Sequence, residues 1–180
     1  MHKFYIAAIL YAATMLMAFP LAANAAGKPS EIAATIHAPA PVGGGKLKKL
    51  FMSVYEASFW SDSGDWKKAP YALSITYAMN FSAQELADRT LTEMQNVSDK
   101  PEDVLKSYTD QLAKLWPNVA SGDRITAVAL SNGRTAFYHN GHALGTISDP
   151  AFTPVFFGVW LSSKTSEPEL RQQLLHLTGE

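Results

Sequence analysis

The chain has 180 residues, 47% of them apolar and 17% charged, with a net charge of −1 and no cysteine. That balance excludes a disulfide-stapled scaffold, thiolate metal sites and cysteine nucleophiles. It supplies no basic excess to neutralise a phosphate backbone, so nucleic acid is not an expected partner.

The first residues read MHKFYIAAILYAATMLMAFPLAANAA. One lysine, an apolar run from Phe4 to Phe19, Pro20 and then Ala23-Asn24-Ala25 follow the order of a secretory signal peptide cleaved after Ala25. Length alone also admits an uncleaved anchor, since the run approaches the ~20 residues that span a bilayer. Pro20 and the small-residue site favour cleavage. The expectation is therefore a signal peptide over residues 1–25 and export to the periplasm. No stable membrane insertion should follow, because no later stretch is long and apolar enough.

What remains suits one domain with its own core. Residues 26–45 read as a tail, a short strand over Ile32–Ile36 ended by Pro39 and Pro41, and a flexible turn at Val42-Gly43-Gly44-Gly45. The domain proper is placed over 46–180, its start near residue 31. KLKKLFMSVYEASFW, Lys46–Trp60, predicts one long strand that is apolar on both faces. Leu50, Met52, Val54 and Trp60 lie on one face, and Leu47, Phe51, Tyr55 and Phe59 on the other. A strand with one wet face would alternate. Both faces are therefore covered, either by ordinary layers or by a hydrophobic pocket on the side away from the helices.

Tyr71–Met79 alternates strictly, with Tyr71, Leu73, Ile75, Tyr77 and Met79 on one face, and reads as a strand. Ser82-Ala83-Gln84-Glu85 is a capping box, opening a helix to about Asn96 with Leu86, Leu91 and Met94 inward. Ser98 or Asp99 caps a second helix with Pro101 in its first turn. Its stripe is Val104, Leu105, Tyr108, Leu112 and Leu115, and it ends at Trp116-Pro117.

Turns at Gly122-Asp123, Asn132-Gly133 and Asn140-Gly141 then set off Arg124–Ser131, Arg134–His139 and Ala143–Ile147 as a three-stranded meander. Asp149 reads as an N-cap and Pro150 as the first residue of a very apolar helix. Phe152, Val155, Phe156, Val159 and Trp160 fall at i, i+3, i+4, i+7 and i+8, and Phe157 and Leu161 widen that surface. Protein should wrap this helix on most sides. Ser166-Glu167-Pro168-Glu169 reads as another capping box, opening the last helix. Strands, two helices, three strands and two helices indicate an α+β fold with a large, mainly antiparallel sheet.

No triad, zinc signature, P-loop or dinucleotide fingerprint is present, and no catalytic residue, metal site or cofactor is assigned. His139 and His142 flank the Asn-Gly turn, without a third ligand near them in sequence. Lys46, Lys48 and Lys49 read as a solvated, edge-protecting cluster. Arg89, mid-helix among Leu86, Thr90 and Glu93, is either a surface ion pair or an anion-binding group at a pocket mouth. Tyr55 and Tyr77 lie on apolar strand faces, where each hydroxyl needs a partner in the structure or in a pocket.

The blocks GGGKLKKLFMSVYEASFW, YALSITYAMNFSAQELADRTLTEM, LWPNVASGDRITAVAL and FYHNGHALGTISDPAFTPVFFGVWLSSKTSEPELRQQLL resemble the bacterial chalcone isomerase-like family. The resemblance runs from about Ile32 to Leu175 and is most specific in the VYEA strand, the Gly122-Asp123-Arg124 turn and the block opening FYHNG. It implies a chalcone isomerase-like open-faced sandwich: a large antiparallel sheet, helices layered on one face, and an apolar cleft against them. It does not carry the catalysis. Plant isomerases are expected to use an Arg on the strand before the Gly turn, a Thr on the long strand and a Tyr near the next helix start. Rough alignment places these at Ala38, Leu50 and Leu86, and no Arg precedes Arg89. The missing guanidinium matters most, because it would stabilise the phenolate or enolate charge of the transition state. Fatty-acid-binding relatives use a similarly placed Arg, which also has no counterpart.

Residues and resemblance together lead to an exported, non-catalytic protein that binds a small apolar or amphipathic ligand, fatty-acid-like or flavonoid-like. Tyr55, Tyr77, Arg89, Phe156 and Trp160 are its candidate contacts. Two alternatives stay open: an intramolecular lyase or isomerase of chalcone-isomerase type on an enone-like substrate, and an envelope protein-interaction module.

Overall fold

The computed structural model describes residues 27–177, so the signal-peptide reading of residues 1–25 lies outside them. Six strands form one sheet in chain order, each antiparallel to the next. They are β1 (Gly43–Lys49), β2 (Met52–Ser61), β3 (Tyr71–Tyr77), β4 (Arg124–Ala129), β5 (Thr135–His139) and β6 (His142–Ile147). Helices α2 (Ala83–Val97), α3 (Glu102–Leu115), α4 (Phe152–Leu161) and α5 (Pro168–Leu174) cover one face. A single turn, α1 (Ser30–Ala33), sits on the other. The expected α+β sandwich is the fold of the chain, and none of the described helices is long and apolar enough to cross a membrane.

Strand alternation decides which side chains meet the helices. Ala57 and Phe59 of β2, Tyr71, Leu73, Ile75 and Tyr77 of β3, and Ile125, Ala127 and Ala129 of β4 point into the main core. Their neighbours Trp60, Ala72 and Val128 point the other way and pack on Ile32 and Ile36. The capping box at Ser82 forms as read: Glu85 N–H donates to Ser82 Oγ at 3.2 Å, and Ser82 N–H donates to Glu85 Oε2 at 2.7 Å. Asn140 and Gly141 turn the last hairpin with φ of 49° and 86°, the left-handed pair that a type I′ turn requires.

Several readings are corrected. Lys46–Trp60 is a hairpin, not one strand: Lys49 pairs with Met52, and Leu50 turns at a φ of 55°. The turn contains no Gly, Asn or Pro, so turn chemistry did not mark it. The supposed flexible Gly turn is the first half of β1. A Cβ on Gly43 would lie 2.1 Å from the Gln173 carbonyl oxygen, so glycine there lets the end of α5 pack against the strand backbone.

Ile32–Ile36 is helical rather than extended, the Ile36 N–H donating to the Ile32 carbonyl at 2.8 Å. Two isoleucines four apart fit one helical face, and Glu31, just before them, is tied to the sheet by Arg124 and Thr126. Neither Ser98 nor Asp99 caps α3, whose N-cap is Pro101. Asp149 accepts from the Ala151 N–H at 2.8 Å, in a turn that precedes α4 rather than as its N-cap. The Ser166 box does not form either: Ser166 donates to Glu93 instead, and α5 starts on Pro168.

Candidate ligand-binding cleft

Between the sheet and helices α2 and α4 lies a cleft of about 480 Å³. That is within the range of roughly 300–1,000 Å³ typical of small-molecule sites. Its floor comes from β1 to β4, including Leu47, Val54, Leu73, Ile75, Ile125 and Ala127. Phe156, Val159 and Trp160 of α4 face them, while Leu86 and Thr90 of α2 form a side wall. The cleft is therefore on the helix side of the sheet. A pocket on the side away from the helices, one of the two readings of the two-faced strand, is not what the fold builds; there Trp60 packs on α1 residues.

The capping box fixes where α2 begins and hence which residues turn inward. Glu85, Arg89 and Glu93 are spaced by four and all border the cleft. Arg89 Nη2 lies 2.5 Å from Glu93 Oε1, with Arg89 mostly exposed and the Glu93 side chain only 9% exposed. Ser166 Oγ donates to Glu93 Oε2 at 2.6 Å, and Asn96 Nδ2 reaches the same oxygen at 3.3 Å. Across the opening, Lys49 is ion-paired to Glu167. Glu85 spends its carboxylate on the cap. Each charged group bordering the cleft therefore already has a partner.

Tyr55 and Tyr77 are direct cross-strand partners, their rings meeting edge to face with centroids 6.2 Å apart. Trp160 Nε1 donates to the Tyr55 hydroxyl at 2.9 Å, bridging α4 to β2. Burial pushes the Tyr55 phenol well above its ordinary range, against the opposing pull of the Trp160 hydrogen bond. Burial raises Tyr77 similarly, with Tyr55 beside it adding to the shift. Both phenols stay protonated near neutrality, so neither supplies a phenolate base. They are polar contacts in an otherwise apolar wall.

Tyr55, Tyr77, Arg89, Phe156 and Trp160 thus all border one cleft. Sequence reasoning set Arg89 beside Glu93 and offered an ion pair, but as a surface pair, whereas the Glu93 side chain is nearly buried in the wall. It read Ser166 as a cap and Trp116 only as a helix terminator. Trp116 is 7% exposed, packs on Phe137 and Phe156, borders the cleft, and its indole N–H has no partner among the described residues.

Of the positions aligned with the plant catalytic residues, Leu86 alone reaches the cleft. Ala38 packs behind the sheet and Leu50 is 90% exposed at the hairpin tip, so that alignment is not kept by the fold. His139 and His142 face each other across the last hairpin, away from the cleft, with His139 Nε2 3.4 Å from Asp123 Oδ2. Among the described residues no group of three His, Asp or Glu side chains is placed to hold a metal.

Comparison with known proteins matches residues 43–176 to a family described as chalcone isomerase-like. No match was found among curated proteins. Among solved structures, the fold is similar to the crystal structure of a fatty-acid binding protein from Arabidopsis thaliana. The two share 12% identity and a TM-score of 0.57, over 75% of this chain and 85% of that one. At that identity the likeness is one of fold.

Proposed function

The chain belongs to the chalcone isomerase-like family, and from that premise we propose that it is a non-catalytic binding protein for a small apolar or amphipathic ligand. One observation carries this reading. The cleft has an apolar floor and roof, and the charged groups around it are already paired with one another or used in a cap. Such a lining rewards burial of an alkyl or aryl body and offers a few hydrogen bonds for orientation. It presents no free guanidinium to stabilise a developing anion. The fatty-acid binding protein that shares the fold makes a fatty-acid-like ligand a fitting first choice of probe.

Export is part of the proposal and rests on the order of residues in the first 25 positions. N-terminal sequencing of protein recovered from the periplasmic fraction tests it; a start at Met1 would count against it.

The ligand reading is tested by incubating the purified protein with a total lipid extract and recording native mass spectra. A retained adduct of one small molecule per chain is expected, displaced by a fluorescent alkyl probe. Absence of any adduct, together with no probe binding, would overturn the reading. Turnover of an enone panel would overturn its non-catalytic part.

A further inference from the structure

We propose that the β1–β2 hairpin tip docks the protein onto an anionic lipid surface, with Leu50, Phe51 and Met52 entering the acyl boundary. Among the described residues four large apolar side chains are exposed, and three of them are consecutive here: Leu50 at 90%, Phe51 at 101% and Met52 at 56%. Packing does not explain them. Turn geometry does not explain them either, because Leu50 holds a φ of 55°, which Asn or Gly would adopt at less cost. Two bulky apolar residues at a two-residue turn are costly in water and useful in a bilayer interface.

The charges around the tip fit the same partner. Lys46, Lys48 and Lys49 all lie on β1 just before it. The acids that face them are Glu56, 3.5 Å from Lys46, Glu167, paired to Lys49, and Glu169, which lines one surface hollow with Lys46 and Lys48. Lys48 has no ion-pair partner among the described residues. Apolar residues flanked by lysines suit an interface with anionic headgroups. A second protein fits less well. At roughly 200 Å² for each large side chain, the three together offer at most about 600 Å², short of the roughly 800 Å² per partner of a stable protein interface.

The same two strands border the cleft through Leu47, Lys49, Val54 and Tyr55. Docking at the tip would therefore bring this rim close to the lipid surface. The inference does not depend on the ligand-binding reading, since vesicle partition is measured whether the cleft is empty or full.

The test uses the chain from Gly27, which keeps all six strands and both core clusters while removing an apolar leader that could bind lipid by itself. Co-sedimentation with phosphatidylcholine–phosphatidylglycerol vesicles is compared with pure phosphatidylcholine. The unaltered chain should partition to the anionic vesicles. L50S/F51S should lower that partition by about tenfold or more, with an unchanged circular dichroism spectrum and unchanged probe binding in the cleft. K48E should weaken it on anionic vesicles, and added salt should do the same. Equal partition by L50S/F51S, or no partition by the unaltered chain, would overturn the proposal. A dimer in solution that L50S/F51S dissociates would overturn it in favour of a second copy of the chain.

Discussion

Trp160 donates its indole N–H to the hydroxyl of Tyr55 at 2.9 Å, across the gap between α4 and β2. This bond joins the two layers at the rim of the cleft, close to Arg89, Glu93 and Glu167. Tyr55→Phe removes the acceptor and leaves a half-buried donor unpaired. The expected cost is about 1–2 kcal/mol in urea unfolding. Trp160→Phe removes the donor instead, and the double variant should cost less than the sum of the two, because the bond can be lost only once.

Phe156 touches the rings of Trp116, Phe137, Phe152, Phe157 and Trp160. It is also a wall of the cleft, so its loss should act on both stability and binding. Phe156→Ala is expected to destabilise by about 3–5 kcal/mol. Phe156→Leu should keep most of that stability while altering probe affinity. Chemical denaturation and fluorescence titration read the two effects separately.

Arg89 is mostly exposed and its guanidinium is already placed on Glu93. Arg89→Ala leaves the nearly buried Glu93 carboxylate with only Ser166 and Asn96 as partners, so it should cost about 1–3 kcal/mol. It should leave the affinity for an uncharged alkyl probe within about threefold, since such a probe gains its affinity from apolar burial rather than from the Arg89–Glu93 pair. A much larger loss, confined to a carboxylated probe, would identify Arg89 as the group that turns from Glu93 to a ligand anion.

Ala127 is 3% exposed and forms part of the cleft floor. Ala127→Met extends a flexible apolar side chain into existing space, so overpacking strain should be small. The expected result is weaker probe binding, by about tenfold, with thermal stability kept or slightly raised. Isothermal titration and a thermal melt check it.

Alkaline pH should expose the buried tyrosines. Tyr71 and Tyr108 are each pushed from an ordinary 10.0 up to about 12, in both cases chiefly by burial. Tyr55 and Tyr77 are raised further, also chiefly by burial. A phenol raised in the folded state contributes stability that is complete below its unfolded value and is lost as pH rises through the folded one. Unfolding midpoints should thus fall as pH rises from about 10 toward 12 and beyond. Tyr77→Phe should flatten that fall, and phenolate absorbance of these groups should appear together with unfolding.

The strict alternation of Tyr71–Tyr77, the Ser82 capping box, the Asn140-Gly141 turn and the apolar α4 were all legible in the chain, and with them the α+β sandwich. Each is a local device, in which backbone preference or side-chain period points to one conformation. The misreadings have other causes. The packed Gly43–Gly45 strand and the helical Ile32 segment take their conformation from partners distant in sequence, α5 against β1 and the back of the sheet against α1, while the exposed Leu50-Phe51 turn carries no residue that marks a turn. Helical spacing could align Arg89 with Glu93 on one face, but Ser166 joins Glu93 only because α4 returns the chain to α2.

The sequence by itself therefore determined the element types from Tyr71 onward and the apolar character of the facing surfaces, because periodicity and turn chemistry act over a few residues. Only the tertiary structure decided that the cleft opens on the helix side, that its charges pair with each other, and that Leu50 and Phe51 stand in solvent. Those outcomes depend on which distant segments share a neighbourhood, and contacts across the sheet and helix layers set that.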